Sequence, residues 1–344
     1  MMRSGQVTIK DIARELGISP STVSKALKNH PDISVETRKR VNDLAKKLNY
    51  KPNAIALSLR SSRTKTIGLV IPETVHHFFS SVISGIEDVA YDAGYNVMIF
   101  QSNESFNREV IATTALLDAR VEGILISLSR ETRNYDHLKN ILKNGVPVVM
   151  FDRVCDDIKT DKVTVDDYEG AYNAVSHLIR SGCRRIAHLA GPPGLRITDL
   201  RRNGYLEALR ENRLEFDRDL MVYCDNFNQA QIRTKQLMNR IQPPDAIFTV
   251  NDFTATGVIK SLHEMRIRIP EDVSVIGFSN GLISQVTYPT LSTVDQHGYE
   301  MGQVSVQLLL DRLYNRQAEQ PFIHQVLKTE LIIRESTRRT RKNS

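Results

Sequence analysis

The chain has 344 residues, of which 41% are apolar and 25% are charged, and these fractions are those of a soluble globular protein. Its length exceeds one ordinary core and predicts two or three structural units. No apolar run approaches the roughly 18 to 20 residues that cross a bilayer, and the start of the chain lacks a secretory signal. We therefore expect a cytoplasmic protein without membrane contact.

The positive charge of the chain is concentrated at its start. Residues 1–65 contain 14 lysines and arginines against 5 acidic residues, a net charge of +9, whereas the rest of the chain contains 32 against 35. Such asymmetry favours a nucleic-acid contact at that end, although an arm lying on a membrane surface would carry the same charge. The pattern of residues within 1–65 decides between the nucleic-acid contact and the membrane-surface arm.

The first predicted element is a short helix, followed by a glycine turn and a second helix. Thr8 and Asp11 have the spacing of a capping box at the start of the first helix, and Gly17 ends it. Ser19 is then a natural N-cap and Pro20 a natural first helical residue. The apolar residues that recur at helical spacing are Ile9, Ile12, Ala13, Leu16, Val23, Ala26 and Leu27.

A third helix begins after Ser34, its N-cap, and carries an apolar face of its own. Three amphipathic helices can close one small core. The second helix would then present polar side chains that can reach base edges and phosphates in a DNA major groove: Ser21, Thr22, Ser24, Lys25 and Lys28. A helical bundle with merely solvated charges is the alternative at this point.

A fourth predicted helix covers residues 54–60, after Pro52 and Asn53. Helices this short are marginal in water, below the roughly 12 to 15 residues usually required. We therefore expect another molecule or segment to stabilise it.

From Ile67 onward the hydrophobic period changes. Eight short runs rich in Val and Ile alternate with segments of helical spacing, which predicts parallel, doubly wound sheets covered on both faces. Eight strands over this length suit two sheets better than one. The runs are IGLVI, NVMIF, GILIS, VPVVMF, RIAHLA, LMVY, AIFTV and VSVIG.

Ligands of open α/β sheets bind beyond the carboxyl ends of the strands, so each strand-to-helix loop is a candidate for the cleft. Aromatic, amide, carboxylate, guanidinium and hydroxyl groups together suit a polyhydroxylated ligand, and we predict a sugar or sugar acid. Local capping is the alternative for any one residue. The predicted effector-binding residues are His77, Phe78, Phe79, Ser102, Asn103, Ser129, Asp152, Arg153, Arg201, Asn251, Asp252, Ser279 and Asn280.

Enzymatic and metal chemistry have little support in the sequence. The chain contains no GxxxxGK[ST], no GxGxxG after a strand, no GxSxG and no HExxH. Its three cysteines, Cys155, Cys183 and Cys224, are far apart and form no CxxC pair, so we interpret them as reduced packing residues. We predict a protein that is not an enzyme and that holds no cofactor or metal.

Residues 7–73 resemble the head, hinge and first strand of the LacI/GalR family of bacterial transcription regulators. They read VTIKDIARELGISPSTVSKALKNHPDISVETRKRVNDLAKKLNYKPNAIALSLRSSRTKTIGLVIPE. The resemblance continues through FFSSVISGIEDVAYDAGYNV, VPVVMFDR, RRNGYLEAL, DAIFTVND and VSVIGFSN. It implies a helix-turn-helix head on a two-lobed α/β domain like the periplasmic binding proteins. A sugar-binding receptor without DNA function is the rival interpretation.

The resemblance also implies a division of the chain. The head would occupy residues 1–52, the hinge helix and linker 53–66, the effector-binding and dimerisation domain 67–337, and the tail 338–344. The N-lobe would comprise 67–164 and 295–323, and the C-lobe 165–294 and 324–337. We expect a homodimer on double-stranded operator DNA, with a small-molecule effector between the lobes.

Residue roles follow from the same resemblance. Pro20, Ser21 and Lys25 would occupy the base-reading positions, where Pro20 departs from the polar or aromatic residue frequent there. Leu59 matches the leucine that wedges into the minor groove, and Arg201 the arginine that contacts the effector. Ser279 and Asn280 replace frequent aspartates, which would make that corner neutral and favour a carboxylate on the ligand. The predicted DNA-binding residues are Thr8, Ser19, Pro20, Ser21, Thr22, Ser24, Lys25, Asn29, Ser34, Thr37, Tyr50, Asn53, Ala56, Leu59 and Arg60.

Overall fold

The computed structural model describes residues 7–50, 64–75, 77–224, 226–315 and 320–339. Contacts divide the chain into two compact units, Met1–Thr64 and Lys65–Ser344. The predicted helix over 54–60 lies outside the described residues. Within the described ranges, no helix has the length and apolarity needed to span a membrane.

The first unit contains the three helices that the sequence predicts. The Asp11 carboxylate accepts hydrogen bonds from the Thr8 backbone N–H at 3.0 Å and from its hydroxyl at 2.6 Å. Gly17 has a φ of 66°, which ends the first helix and turns the chain toward the second. Ser19 caps the second helix by accepting from the Thr22 N–H at 3.1 Å. The helices are α1 (Ile9–Leu16), α2 (Pro20–Leu27) and α3 (Val35–Lys47).

One small core holds these helices together. Ile12, Val23, Ala26 and Val41 are completely buried, so each helix contributes its apolar face. This agrees with the periodicity of the sequence and leaves the polar faces outward.

The second unit is built on two parallel sheets, as predicted. The first has the strand order β11-β5-β4-β3-β1-β2 and the second the order β7-β6-β8-β9. A two-stranded antiparallel sheet pairs β10 with β12. The strands are β1 (Thr66–Ile71), β2 (Asn96–Gln101), β3 (Ile124–Ile126), β4 (Val148–Phe151), β5 (Asp161–Val165), β6 (Ile186–Ala190), β7 (Met221–Tyr223), β8 (Ala246–Thr249), β9 (Ser274–Ile276), β10 (Thr293–Asp295), β11 (His324–Leu327) and β12 (Glu330–Ile332).

Helices cover both faces of each sheet. In β1, Ile67 and Leu69 pack on one side with α4 and α12, whereas Val70 packs on the other with α5 and α6. The second sheet is covered likewise by α7 and α8 and by α9 and α10. Burial on both faces explains why β1, β3, β4, β6, β8 and β9 read as continuous apolar runs. The helices are α4 (His77–Asp92), α5 (Phe106–Asp118), α6 (Asp136–Lys143), α7 (Asp167–Arg180), α8 (Arg196–Glu211), α9 (Phe227–Met238), α10 (Asp252–Glu264), α11 (Ile283–Val286) and α12 (Gly298–Tyr314).

The chain passes between the two sheets near its end as well as in its middle. We call the elements around the first sheet the first lobe and those around the second sheet the second lobe. The prediction that residues 324–337 belong wholly to the second lobe is wrong at its start, because His324–Leu327 pairs with β5 of the first sheet. After two intervening residues, Glu330–Ile332 forms β12, which pairs with β10.

A buried carboxylate stabilises the outer edge of the first sheet. Asp161, at the start of β5, is 1% exposed. It accepts hydrogen bonds from Nε and Nη2 of Arg312 at 2.7 and 2.9 Å, and from the backbone N–H of Ile323 at 2.8 Å. The pair fixes α12 and the segment before β11 against β5.

Candidate DNA-reading surface and ligand cavity

The second helix of the first unit exposes a polar face, as the sequence predicts. Ser21 and Lys25 are exposed, and Thr22 and Ser24 are half-buried. The Ser19 hydroxyl lies 2.7 Å from the Ser21 hydroxyl and 2.8 Å from the Thr22 hydroxyl. These hydroxyl groups can exchange such local bonds for bonds to a base edge or a phosphate.

Lys25 already has an anionic neighbour in this structure. Its ammonium group donates to Asp32 at 3.1 Å, and this bond is the main cause of the lowered pKa of the Asp32 carboxyl. Both side chains are exposed, so water screens the pair and little energy is needed to separate it. Lys25 can therefore move to an acceptor on DNA.

Most of the predicted DNA-binding residues outside α2 that the structure describes lie at helix starts. Thr8 and Ser34 are the N-caps of α1 and α3, and Ser34 accepts from the Thr37 N–H at 3.2 Å. Helix N-termini carry N–H groups and a partial positive charge, which suit phosphate oxygens. Asn29 is exposed and adopts a φ of 58°, and Tyr50 packs against the core of the unit. Asn53, Ala56, Leu59 and Arg60 lie outside the described residues.

A cavity of about 520 Å³ in the second unit is lined by side chains from both lobes. Its volume falls in the range of roughly 300 to 1,000 Å³ that is usual for ligand sites. Nine of the thirteen residues predicted to bind the effector line it: His77, Phe78, Phe79, Asp152, Arg153, Arg201, Asn251, Asp252 and Ser279.

The other four predicted residues are not in this lining, and their side chains are engaged elsewhere. The buried Ser129 hydroxyl donates to the Ser102 hydroxyl at 2.7 Å. Asn103 is exposed and accepts from the Gln101 amide. Asn280 donates to Asp295 at 2.8 Å. These bonds fasten loops, which is the alternative that the sequence left open.

Four of the lining residues lie in helices, whereas the prediction placed them in strand-to-helix loops. His77, Phe78 and Phe79 form the first turn of α4, and Arg201 lies inside α8, so none of these four is in a loop. Helical backbone fixes their side chains more firmly than a loop would. The lining also includes residues that the sequence did not single out, of which the polar ones are Glu73, Glu104, Arg130, Thr198, Asn226 and Gln296.

Arg201 is almost completely buried and its guanidinium is held on three sides. Its Nε donates to Asp167 at 2.7 Å, and its Nη1 donates to the carbonyl oxygen of Val250 at 2.7 Å. The guanidinium carbon lies 3.8 Å from the centre of the Phe278 ring. Burial raises the pKa of the Asp167 carboxyl, and the charge of Arg201 opposes that rise. Arg201 is thus part of a buried ion pair at the edge of the cavity.

Arg153 forms a second ion pair in the lining. Its Nη1 lies 2.7 Å from each carboxylate oxygen of Glu104, which also accepts from the Arg130 N–H at 2.8 Å. The buried Nε of Arg153 has no hydrogen-bond partner within the part of the chain that the structure describes. Burial raises the pKa of the neighbouring Asp152 carboxyl to about 6.

Asp252 ties together the corner that contains Ser279. Its carboxylate accepts from the Thr293 hydroxyl at 2.5 Å and from the Gly281 N–H at 2.7 Å. Burial raises its pKa to about 6. Because Asp252 and Asp295 both lie here, the prediction of a neutral corner is wrong, although Ser279 itself pairs with Gln296 at 2.9 Å. Among the described residues, no group of His, Cys, Asp and Glu has the arrangement of a metal site.

A helical unit with an exposed polar and basic helix, followed by a two-lobed unit around a ligand-sized cavity, defines a ligand-responsive DNA-binding regulator. Comparison with known proteins agrees. Residues 8–53 match the family described as bacterial regulatory proteins, lacI family, and residues 175–337 match the periplasmic binding protein-like domain. The "HTH-type transcriptional repressor PurR" of Vibrio atlanticus is 33% identical, over 91% of this chain and 93% of its own.

Two solved structures are similar along nearly the whole chain. The lac repressor dimer bound to operator and the anti-inducer ONPF has a TM-score of 0.85 and 27% identity, and covers 97% of this chain and 99% of its own. The complex of the transcriptional regulator CelR with cellobiose has a TM-score of 0.73 and 26% identity, and covers 96% and 100%. This chain belongs to the LacI/GalR family of bacterial transcription regulators, as predicted. It is a DNA-binding regulator and not an enzyme, and the receptor without DNA function is excluded.

Proposed function

We propose that this protein is a homodimeric repressor whose affinity for a pseudo-palindromic operator is controlled by an uncharged sugar in the 520 Å³ cavity. The choice of an uncharged ligand rests on one observation: Arg153 and Arg201 are each paired with a carboxylate of the protein. Operator DNA lies in the cytoplasm of a bacterium, so we place the protein there.

The charges of the cavity argue for a neutral ligand. Its lining contains four acidic residues, Glu73, Glu104, Asp152 and Asp252, beside three arginines. A carboxylate on the ligand would compete with Glu104 for Arg153 or with Asp167 for Arg201, and displacing either one leaves a buried charge without its partner. Neutral hydroxyl groups can instead donate to these carboxylates and accept from the guanidinium N–H groups.

Two buried polar atoms at the cavity point to a ligand that forms hydrogen bonds. The Nε of Arg153 and the Thr198 hydroxyl lack hydrogen-bond partners among the described residues, and both residues line the cavity. Such atoms are rare in native proteins, because each costs about 1 to 3 kcal/mol. A small movement of either side chain would expose its atom to a hydroxyl group of a sugar, and the rings of Phe78 and Phe79 offer apolar surface for its C–H groups.

An apolar edge of the first lobe supports the proposed dimer. The strand β2 is the last strand of the first sheet, and its residues Met98 and Ile99 are 36% and 40% exposed. Tyr91 and Ile111, on the flanking helices, are 81% and 66% exposed. Uncovered sheet edges with apolar neighbours are usually protected by another chain. A second copy of this protein would also bring a second head to the other half of an operator.

The test begins with selection of bound duplexes from a random DNA library by the purified full chain. The selection is repeated with neutral sugars and with sugar acids. We expect an enriched pseudo-palindrome whose binding responds to a neutral sugar. The absence of an enriched sequence, or a response confined to sugar acids, would contradict the proposal.

A pair of lysine variants provides the control for the DNA contact. Lys25→Ala removes a predicted base-reading side chain, whereas Lys139→Ala removes an exposed lysine of the second unit that is likewise paired with an aspartate, at 3.0 Å. We expect Lys25→Ala to weaken binding to the selected operator by about fivefold to a hundredfold, since a good base contact is worth about 1 to 3 kcal/mol. Lys139→Ala should change it less than twofold.

A further inference from the structure

The basic first unit carries a carboxylate directly beside one of its predicted base-reading residues. Nζ of Lys25, on α2, lies 3.1 Å from Oδ2 of Asp32. The two side chains are 49% and 60% exposed, so both groups remain accessible to another molecule. Asp32 is absent from the residues that the sequence predicts to bind DNA.

The loop between α2 and α3 holds Asp32 at this place. The His30 N–H donates to the carbonyl oxygen of Lys25 at 3.0 Å, and the Ile33 N–H donates to that of His30 at 3.2 Å. The side chain of Ile33 packs against the core of the unit. Nδ1 of His30 accepts from the backbone N–H of Asp32 at 3.3 Å. The backbone of Asp32 is thus fixed relative to α2, and its carboxylate is presented together with the ammonium group of Lys25.

A carboxylate is unsuited to a phosphate but suited to one of the bases. Phosphate oxygens are anionic, so Asp32 repels them and lowers the affinity for a duplex of any sequence. On the base edges of the major groove, the usual partner of an aspartate is the N4 amino group of cytosine. The usual partners of a lysine are O6 and N7 of guanine. Lys25 and Asp32 therefore suit the two bases of one G·C pair.

The spacing of the two side chains matches the spacing of these base atoms. Guanine O6 and cytosine N4 are joined by a base-pair hydrogen bond of about 2.9 Å, and Nζ of Lys25 and Oδ2 of Asp32 lie 3.1 Å apart. An ammonium group has three donors and a carboxylate about four acceptor sites, so each can bind a base without breaking the ion pair. An A·T pair fits less well, because its thymine offers the ammonium group one acceptor beside a methyl group.

We propose that Lys25 and Asp32 together read one G·C base pair in each half of the operator. Lys25 donates to the guanine, and Asp32 accepts from the N4 amino group of the cytosine in the same pair. This proposal rests on the proposed function, because it assumes a pseudo-palindromic operator. It adds a specificity-determining residue and the identity of one base pair.

Competition binding of the full chain to variants of the selected operator tests the proposal. Each of the four base pairs is placed in turn at each position of both half-sites. The parent protein should prefer a G·C pair at one position by about fivefold to a hundredfold. Lys25→Ala and Asp32→Ala should each lower the preference at this same position by about threefold or more, because one of its two bases loses a partner.

Asp43→Ala is the matched control. Asp43 is an exposed aspartate on α3 of the same unit, so this variant removes the same charge as Asp32→Ala. It should leave every base preference unchanged, whatever it does to the affinity for all duplexes together. A melting curve of each variant checks that it is folded.

The outcomes separate this inference from the proposed function. If Asp32→Ala leaves every base preference unchanged, as Asp43→Ala does, Asp32 acts only through its charge; this inference is then wrong and the operator proposal stands. If Lys25→Ala and Asp32→Ala alter different positions, or if the shared position prefers an A·T pair, the joint reading of a G·C pair is wrong. If the parent protein enriches no sequence, both proposals fail.

Discussion

Replacing Arg201 with alanine should destabilise the second unit, in addition to any effect on effector binding. The side chains of Arg201 and Asp167 are 5% and 3% exposed, and they lie 2.7 Å apart. Removing one partner of a buried ion pair typically costs about 3 to 5 kcal/mol, because the other charge stays buried without compensation. The Val250 carbonyl also loses its donor. We therefore expect Arg201→Ala to lower the free energy of unfolding by about 3 to 5 kcal/mol.

A double-mutant cycle separates the pair from its two members. Asp167→Ala should also be strongly destabilising, whereas Asp167→Ala/Arg201→Ala should cost at least about 2 kcal/mol less than the sum of the single changes. Urea unfolding followed by far-UV circular dichroism measures these values, because the chain has no tryptophan to report by fluorescence. Full additivity would refute the buried pair.

The pH dependence of Arg201→Ala provides an independent check. Burial raises the pKa of Asp167, and loss of Arg201 removes the charge that opposes the rise. A carboxyl whose pKa is higher in the folded state than in the unfolded state binds protons preferentially when folded. Its stabilising contribution is complete below the unfolded pKa and is lost as pH rises through the folded pKa. The deficit of the variant should therefore shrink as the pH is lowered from neutral through the raised pKa of Asp167, and a constant deficit would contradict the reasoning.

Four further predictions follow from other parts of the molecule. Operator affinity should fall steeply with salt in a titration, by about 0.9 log units per log unit of salt for each neutralised phosphate, and a flat response would contradict a phosphate-binding head. Leu59→Ala should reduce the operator bend in a gel assay and leave the melting temperature unchanged, because the family resemblance predicts that this residue enters the minor groove. A lowered melting temperature would indicate that it packs in the protein instead. Gly257→Ala should lower the melting temperature measurably, because its Cβ would lie 2.5 Å from the Phe227 carbonyl oxygen. Asp252→Asn should flatten the pH dependence of the free energy of unfolding between about pH 4 and pH 6. Burial raises the folded pKa of this carboxyl to about 6, so its ionisation lowers the stability of the parent protein as the pH rises through that window. An unchanged slope of the free energy of unfolding against pH would refute this.

Local signals explain why the helical unit could be predicted almost completely. The cap at Thr8, the glycine turn at Gly17 and the cap at Ser19 each act within three residues, and the structure shows all of them. The eight apolar strand runs were equally visible. Six of them are buried, whereas β2 and β7 keep exposed residues. Features of this kind can be predicted from the sequence without knowledge of contacts between distant residues.

Four strands were not predicted because their residues are not continuously apolar. The strand β11 reads HQVL, and three of its four residues are exposed. It is a strand only because it pairs with β5, about 160 residues earlier. Pairing over such a distance depends on the fold of the whole unit, so propensity and periodicity gave no sign of it. The wrong lobe boundary at residue 324 has the same cause.

The residues that line the cavity could be predicted only in part, because the direction of each side chain depends on its partners in other elements. The loop after β2 was identified through Ser102 and Asn103, yet the side chain that lines the cavity from this loop is Glu104, because Glu104 pairs with Arg153. Gln296 was missed because the strand before it, β10, has only three residues. A sequence locates the loops that surround a cavity, but which side chain faces it depends on partners from other elements.

The late return of the chain to the first lobe has a consequence during synthesis on the ribosome. Asp161 is made 151 residues before Arg312, its buried partner, and β11 follows later still. The first lobe, although it begins at the start of the second unit, therefore cannot finish folding until nearly the whole protein has emerged. A polypeptide that terminates early leaves the edge strand β5 uncovered and a carboxylate without its cation. Truncated regulators would then be substrates for proteolysis instead of competitors for the operator.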